Sequence, residues 1–271
     1  MNTDCLIWGP GSNQNAIALY SGSKAAGFTP EYLAPSGFHP NDHVKGVRLV
    51  CVLGLRPRSK SIFDYYVNLK IPVLVVDSAY IHRSRGYMQL GLNGLNWIPP
   101  EAPHDRAEQM GLIPQGTANS KRGDKILICR QKPGDAQHDI PDVDAWMDVV
   151  KKQISKLSLR KIIDRPHPQV AGSETTLTED LAESWCMVTY NSTAAYEAML
   201  VGVPVFCSES AVYKECASTD FTKIEKPYLP AIKTRQKFLD RLAWAQWKHE
   251  EIATGEPVKW CLEHISDAES E

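Results

Sequence analysis

Apolar positions along this chain gather in short runs set between amphipathic stretches, and the two kinds of segment alternate from one end to the other. Short apolar runs bounded by Gly, Pro, Asn or Asp mark buried strands, whereas apolar residues spaced by three and four mark helices. On that reading residues 4–8 form a strand, a Gly9-Pro10-Gly11-Ser12 turn follows, and a helix covers about 13–26. Further strands are expected at 47–53, 73–77 and 95–98, with a helix at 61–69. The stretch 99–125 is rich in Pro, Gly and polar residues and has the composition of a linker.

A second series begins after it. Strands are expected at 125–129, 161–164, 186–190 and 204–207, with helices at 143–156, 178–183 and 192–201. A last helix is expected at 235–254, where Leu239, Leu242, Ala243, Gln246 and Trp247 fall on helical spacing. Alternating strands and helices predict parallel sheets covered on both faces. The expected fold class is therefore α/β, with two Rossmann-like doubly wound domains facing a cleft. Residues 1–118 make the first, 119–234 the second, and 235–271 a helical segment packed across their junction through Trp244, Trp247 and Trp260. In such sheets ligands collect outside the carboxyl ends of the strands, so the chemistry is sought there.

Composition narrows the picture. Of 271 residues 43% are apolar and 23% charged, an ordinary globular balance. The net charge of −2 argues against a tight, non-specific nucleic-acid binder. The longest apolar runs are of strand length, and the N-terminus lacks the basic start and long apolar core of a secretion signal. Seven cysteines carry no Cys-x-x-Cys pair, which points to buried thiols in a reducing cytoplasm rather than disulfides or a zinc site.

The most informative stretch is Tyr190-Asn191-Ser192-Thr193-Ala194-Ala195-Tyr196-Glu197, a strand running into a helix opened by small hydroxyl residues. Free N–H groups and the positive dipole end at such a start favour an anion. Ser192 and Thr193 add hydroxyl donors for a phosphate, and Glu197, one turn on, can accept from a ribose. The plainer alternative makes Asn191 or Ser192 a helix cap and Glu197 a solvated residue. Ile162-Ile163-Asp164-Arg165-Pro166-His167-Pro168 follows a strand end, where Arg165 offers a cation and His167 a switchable donor. After the strand at 125–129, Gln131 and a Gly134-Asp135 turn offer contacts to the same ligand, or form a structural Asx turn. In the first domain Asp77 ends a buried strand and is the candidate general base, unless it caps the turn that follows. Gly11, Ser12, Tyr80 and Arg83 are candidates on the same side of that domain.

An acidic strand end, a strand-turn with Gln and Gly-Asp, then His167-Pro168, then Ser192-Thr193 resembles bacterial capsule-polysaccharide transferases and sialyltransferase-like GT-B enzymes. The resemblance spans about 130 residues, from Ile71 to Cys207, and departs from the family pattern at Ser78 and Ala79, where an acidic residue and Gly are usual. It implies a nucleotide-sugar donor (UDP-, CMP- or similar) bound by the second domain, with no bound cofactor. A saccharide or glycolipid acceptor meets the first domain. Asp77 is then the base, and His167, Ser192 and Thr193 hold the donor phosphates. No metal is called for, because Asp142-Val143-Asp144 reads as the cap of the Trp146 helix rather than a metal pair. Three other readings stay open: a phage-type DNA glycosyltransferase acting on a hydroxymethylated pyrimidine, a non-catalytic nucleotide-binding subunit, and a UDP-sugar epimerase. The first would use Lys45, Arg48, Arg56, Arg58, Lys60, Arg83 and Arg85 against a DNA backbone.

Overall fold

The computed structural model describes residues 3–41, 45–116, 123–135 and 138–265. The chain divides into two compact units, one of Met1–Ala102 with Arg241–Glu271, the other of Pro103–Asp240.

In the first unit β1 (Cys5–Trp8), α1 (Gln14–Ala25), β2 (Pro30–Leu33), β3 (Leu49–Leu53), α2 (Pro57–Asn68), β4 (Val73–Ser78) and β5 (Tyr87–Leu92) follow one another. The second unit contains α3 (Asp105–Met110), β6 (Lys125–Cys129), α4 (Val143–Leu157), β7 (Ile162–Arg165), α5 (Leu177–Ala182), β8 (Ser184–Val188), α6 (Ala194–Val201) and β9 (Val205–Phe206). Helix α7 (Ile232–Ala243) runs through the second boundary, and β10 (Gln246–Lys248), α8 (His249–Ala253) and α9 (Glu256–Glu263) complete the first unit.

The first unit's sheet has the order β10-β5-β4-β3-β1-β2. Strands β4, β3, β1 and β2 are parallel; β5 runs against β4, and β10 against β5. Successive strand residues point to opposite faces. Thus Cys5, Ile7, Leu49, Cys51, Leu74 and Val76 pack on one face with Leu19 of α1, Ile252, Val258 and Cys261. Leu6, Trp8, Val50, Val52, Val73 and Val75 pack on the other with Ile62, Phe63 and Tyr66 of α2. Both faces are covered, which is why these strands read as unbroken apolar runs. On α1, Gly22 allows α8 to approach closely: a β-carbon there would lie 2.1 Å from the Ile252 carbonyl oxygen.

The second unit's sheet is parallel, ordered β7-β6-β8-β9. Ile126, Ile128, Val188 and Phe206 pack against Met147, Val150 and Ile154 of α4, whose first turn Asp142 caps by accepting the Ala145 N–H at 2.9 Å. Arg235, 1% exposed, donates to the carbonyls of Pro230, Met199 and Gln115 and so ties the end of α6 to the segment before β6.

Several expectations are corrected. The unit boundaries lie at 102/103 and 240/241, not at 118/119 and 234/235. Residues 103–116 belong with the second unit because Ala107, Met110 and Leu112 are buried and Gln115 N–H donates to the Leu200 carbonyl. Helix α3 therefore interrupts the expected linker, while 117–122 and 136–137 lie outside the described residues. The strand expected at 95–98 is β5, at Tyr87–Leu92. The helix expected at 235–254 ends at Ala243, and β10 replaces its middle. There the buried Gln246 side chain accepts the N–H groups of Tyr80 and Ile81 at 3.1 and 3.2 Å, and Trp247 joins the sheet core. The Trp244 and Trp260 rings meet within this unit, centroids 4.3 Å apart and planes tilted by 39°.

All seven cysteines are buried and free; burial lifts the thiols of Cys129 and Cys207 to about 12. Among the described residues no helix is long and apolar enough to cross a membrane.

Candidate functional site

In the second unit the chain passes from β6 to β7 on one side, then returns over β6 to β8 on the other. The carboxyl ends of β6 and β8 thus flank the point where strand order reverses, the place where doubly wound sheets bind ligands. Gln131 follows β6 and Asn191 follows β8, and the two meet there. Asn191 N–H donates to Gln131 Oε1 at 2.7 Å, and Gln131 Nε2 donates to Asn191 Oδ1 at 2.5 Å. The Thr189 hydroxyl donates to the Cys129 carbonyl at 3.0 Å and lies 3.4 Å from Gln131 Oε1. The second hydrogen of Gln131 Nε2 points to His138 Nε2, at 2.9 Å.

Beyond Asn191 the chain turns through Ser192 and Thr193 into α6. Thr193 stands at the cap position without a side-chain capping bond, and Ser192 Oγ accepts the Ala194 N–H at 3.3 Å, which leaves the Ser192 O–H to donate. The buried Tyr213 hydroxyl donates to the Ser192 carbonyl at 3.1 Å and fixes the turn from below. Glu197 lies in the first turn of α6. Solvent reaches its side chain, yet much of its surroundings is protein; that desolvation lifts its carboxyl above the ordinary range, and the Arg165 cation draws it part of the way back.

On the other side of β6, Cys129 pairs with Arg165, and His167 follows the carboxyl end of β7. His167 Nδ1 accepts the Gln169 N–H at 3.1 Å, and the Val170 and Ala171 N–H groups close the turn onto the His167 carbonyl. An acceptor at Nδ1 assigns the proton of the neutral ring to Nε2, so the Pro-flanked turn presents a donor.

Arg165 is placed differently from its expected role. Its guanidinium, with the side chain 16% exposed, pairs with Asp180 at 2.5 Å and donates to Ser173 Oγ and the Thr175 carbonyl. It clips the 173–175 loop and α5 to β7, and its charge also acts on Glu197. Behind Gln131, Arg130 pairs with Asp164, Asp144 and Asp148, and Lys151 also reaches Asp164 at 2.7 Å. Burial would raise the Asp164 carboxyl, but the hydrogen bonds from Arg130 and Lys151 outweigh it and hold that group below the usual range.

In the first unit Asp77 stands at the carboxyl end of β4, half-buried, its Oδ1 accepting the Ser78 N–H at 2.7 Å. The adjacent β3 end supplies Gly54, whose N–H donates to the Val76 carbonyl. Gly11 and Ser12 are exposed at the end of β1, on the same edge but beyond β3. Tyr80 does not face this edge as a free hydroxyl: it is 3% exposed and donates to the Trp97 carbonyl at 3.0 Å. Burying an aromatic ring with its hydroxyl partnered is a core role. Arg83 is exposed, with Nε on the Ala79 carbonyl at 2.7 Å.

Two groups lay beyond the sequence reading. His138, four residues before the Asp142 cap, is brought against Gln131, and Tyr190 donates to Asp139 while its ring meets that of His138 at 5.9 Å. No spacing in the sequence links His138 to Gln131 or to Asn191.

No protein-family model matches the sequence, and no curated protein matches it. Chains of known structure do share its fold. Thermosulfurimonas dismutans KpsC, described as a beta Kdo 2,4 transferase, superposes with a TM-score of 0.57 at 13% identity, over 88% of this chain and 90% of that one. KpsC of the same organism described as a beta Kdo 2,7 transferase gives 0.56 at 14%, over 95% and 99%. At these identities the likeness establishes the fold.

Proposed function

We propose that this protein is a GT-B glycosyltransferase that moves a sugar from a nucleotide-sugar donor to a hydroxyl of a saccharide acceptor. The observation that carries the reading is the junction of Gln131 and Asn191 at the switch point of the second unit. The strand β7, which His167 follows, pairs with β6 on one side, and the Ser192-Thr193 turn continues from Asn191 on the other. The KpsC chains that share the fold are described as Kdo transferases, which supports sugar transfer as the reaction class.

In this reading the donor phosphates lie across the ends of β6, β7 and β8. His167 Nε2–H, the Ser192 and Thr193 hydroxyls and the N–H groups opening α6 take up the charge that grows on the departing nucleotide. Glu197 accepts from the ribose. Asp77 removes the proton from the acceptor hydroxyl as its oxygen bonds to the anomeric carbon and the bond to the nucleotide phosphate breaks.

The test is a thermal-shift panel of nucleotides and nucleotide sugars on wild type and His167→Ala. A ligand at a hundred times its dissociation constant adds about 2.7 kcal/mol of stability. One nucleotide family should stabilise wild type and stabilise the variant less. If no nucleotide stabilises wild type, the reading is withdrawn.

A further inference from the structure

We propose that His138 is a positioning residue for the donor edge of the second unit: its uncharged ring fixes the orientation of the Gln131 carboxamide, and through it the backbone of Asn191 that opens the Ser192-Thr193 turn. Its consequence for nucleotide binding rests on the function proposed above; the positioning itself does not.

A carboxamide fits its pocket equally well in either of two orientations, and only its partners decide between them. A backbone N–H can only donate, so the group facing Asn191 N at 2.7 Å must be the Gln131 oxygen. That choice places Nε2 toward Asn191 Oδ1 and toward His138 Nε2, at 2.5 and 2.9 Å. An amide nitrogen has no acceptor capacity, so His138 Nε2 must present its lone pair and carry its proton on Nδ1. If His138 gains a second proton, two N–H groups point at each other across 2.9 Å. The amide cannot escape by flipping, because its nitrogen would then face the Asn191 N–H. Either the ring leaves or the junction of the two strand ends opens.

The groups around the ring set when this happens. Asp135 and Asp139 on its own loop and Asp144 on α4 favour the charged ring, and the Tyr190 ring stands edge-on at 5.9 Å with its hydroxyl directed to Asp139. Burial favours the neutral ring and prevails, so His138 titrates below the ordinary histidine value.

Two variants separate the lock from mere packing. His138→Gln returns an acceptor oxygen near the place of Nε2 and cannot titrate; His138→Leu removes the acceptor. UDP and CMP binding is measured by calorimetry from pH 5 to 8 on wild type and both variants. Wild type should lose affinity toward the acid end, and His138→Gln should bind with wild-type strength at pH 8 and show a flatter acid limb. His138→Leu should bind about tenfold more weakly throughout, the worth of one hydrogen-bond partner lost to a partly buried amide. An unchanged acid limb in His138→Gln, or wild-type affinity in His138→Leu, overturns the proposal. If neither nucleotide binds wild type, these two donors are excluded and nitrogen NMR of the ring decides the positioning alone. A neutral ring protonated at Nδ1, with Gln131 side-chain amide signals that move as His138 titrates, supports it. A ring protonated at Nε2, or Gln131 signals that ignore the titration, overturns it.

Discussion

The backbone of Gly54 lies against the carboxylate of Asp77, so close that a β-carbon at residue 54 would stand 3.3 Å from Oδ2. Gly54 also holds a left-handed φ of +64°. Both facts favour glycine: a β-carbon there would crowd the carboxylate, and in that conformation it crowds the following carbonyl at a cost of about 1–2 kcal/mol. Gly54→Ala is therefore expected to lower stability by about that amount and to displace the Asp77 carboxylate. Turnover should fall further than the stability loss accounts for, which comparison of unfolding curves and initial rates on one preparation will reveal.

Asp77→Asn separates chemistry from folding. The amide oxygen of Asn can still accept the Ser78 N–H, so the turn survives and stability should stay within about 0.5 kcal/mol. Turnover should drop by about a hundred- to ten-thousandfold, the usual contribution of a positioned proton acceptor. Wild-type turnover in this variant would remove the base assignment.

Asp180→Ala should act on the fold. It strips the partner from Arg165, in an ion pair whose side chains are 16% and 9% exposed. Removing one member of a buried pair leaves the other charge uncompensated and costs about 3 kcal/mol. Urea unfolding should show a loss of that size in unfolding free energy, read as a lower midpoint at unchanged slope, while His167→Ala, two residues beyond Arg165, should leave the midpoint close to wild type.

Asp164 gives an acid limb to stability. Its carboxyl is depressed in the folded chain, against the pull of burial, by Arg130 and Lys151. A depressed carboxylate stabilises above its unfolded pKa of about 4, and that contribution disappears as pH falls through the folded value. Thermal unfolding across this range should show a steeper acid loss in wild type than in Asp164→Asn; parallel curves would contradict the assignment.

The parallel strands β1, β3, β4, β6 and β8 were legible because most of their residues are buried and read as apolar runs: 73–77 and 125–129 fall on β4 and β6 almost residue for residue. Strand β2 was not legible, since it begins with Pro30 and is only partly covered. The region 235–254 misled because Leu239, Leu242 and Trp247 keep a helical spacing that pairing with β5 overrides after Ala243. At the site, proximity of Gln131 to Asn191 followed from their both ending strands, but which strands are neighbours is a matter of topology. The ion pair of Arg165 was not legible, because its partner, Asp180, lies fifteen residues away on a different element. His138 carried no signal at all, since its meaning comes from an amide whose orientation only the folded chain defines.

The first unit is assembled from two stretches of chain separated by the whole of the second, and this has a consequence for synthesis. Trp247, Ile252, Val258 and Cys261 complete one face of its core and are synthesised only after the whole of the second unit. Until then, Cys5, Leu49, Leu74 and their neighbours on that face lack a cover, whereas Pro103–Asp240 is one uninterrupted stretch. The second unit can therefore mature while the nascent chain is still growing, and the half-built first unit is the stage at which a chaperone would find exposed apolar surface.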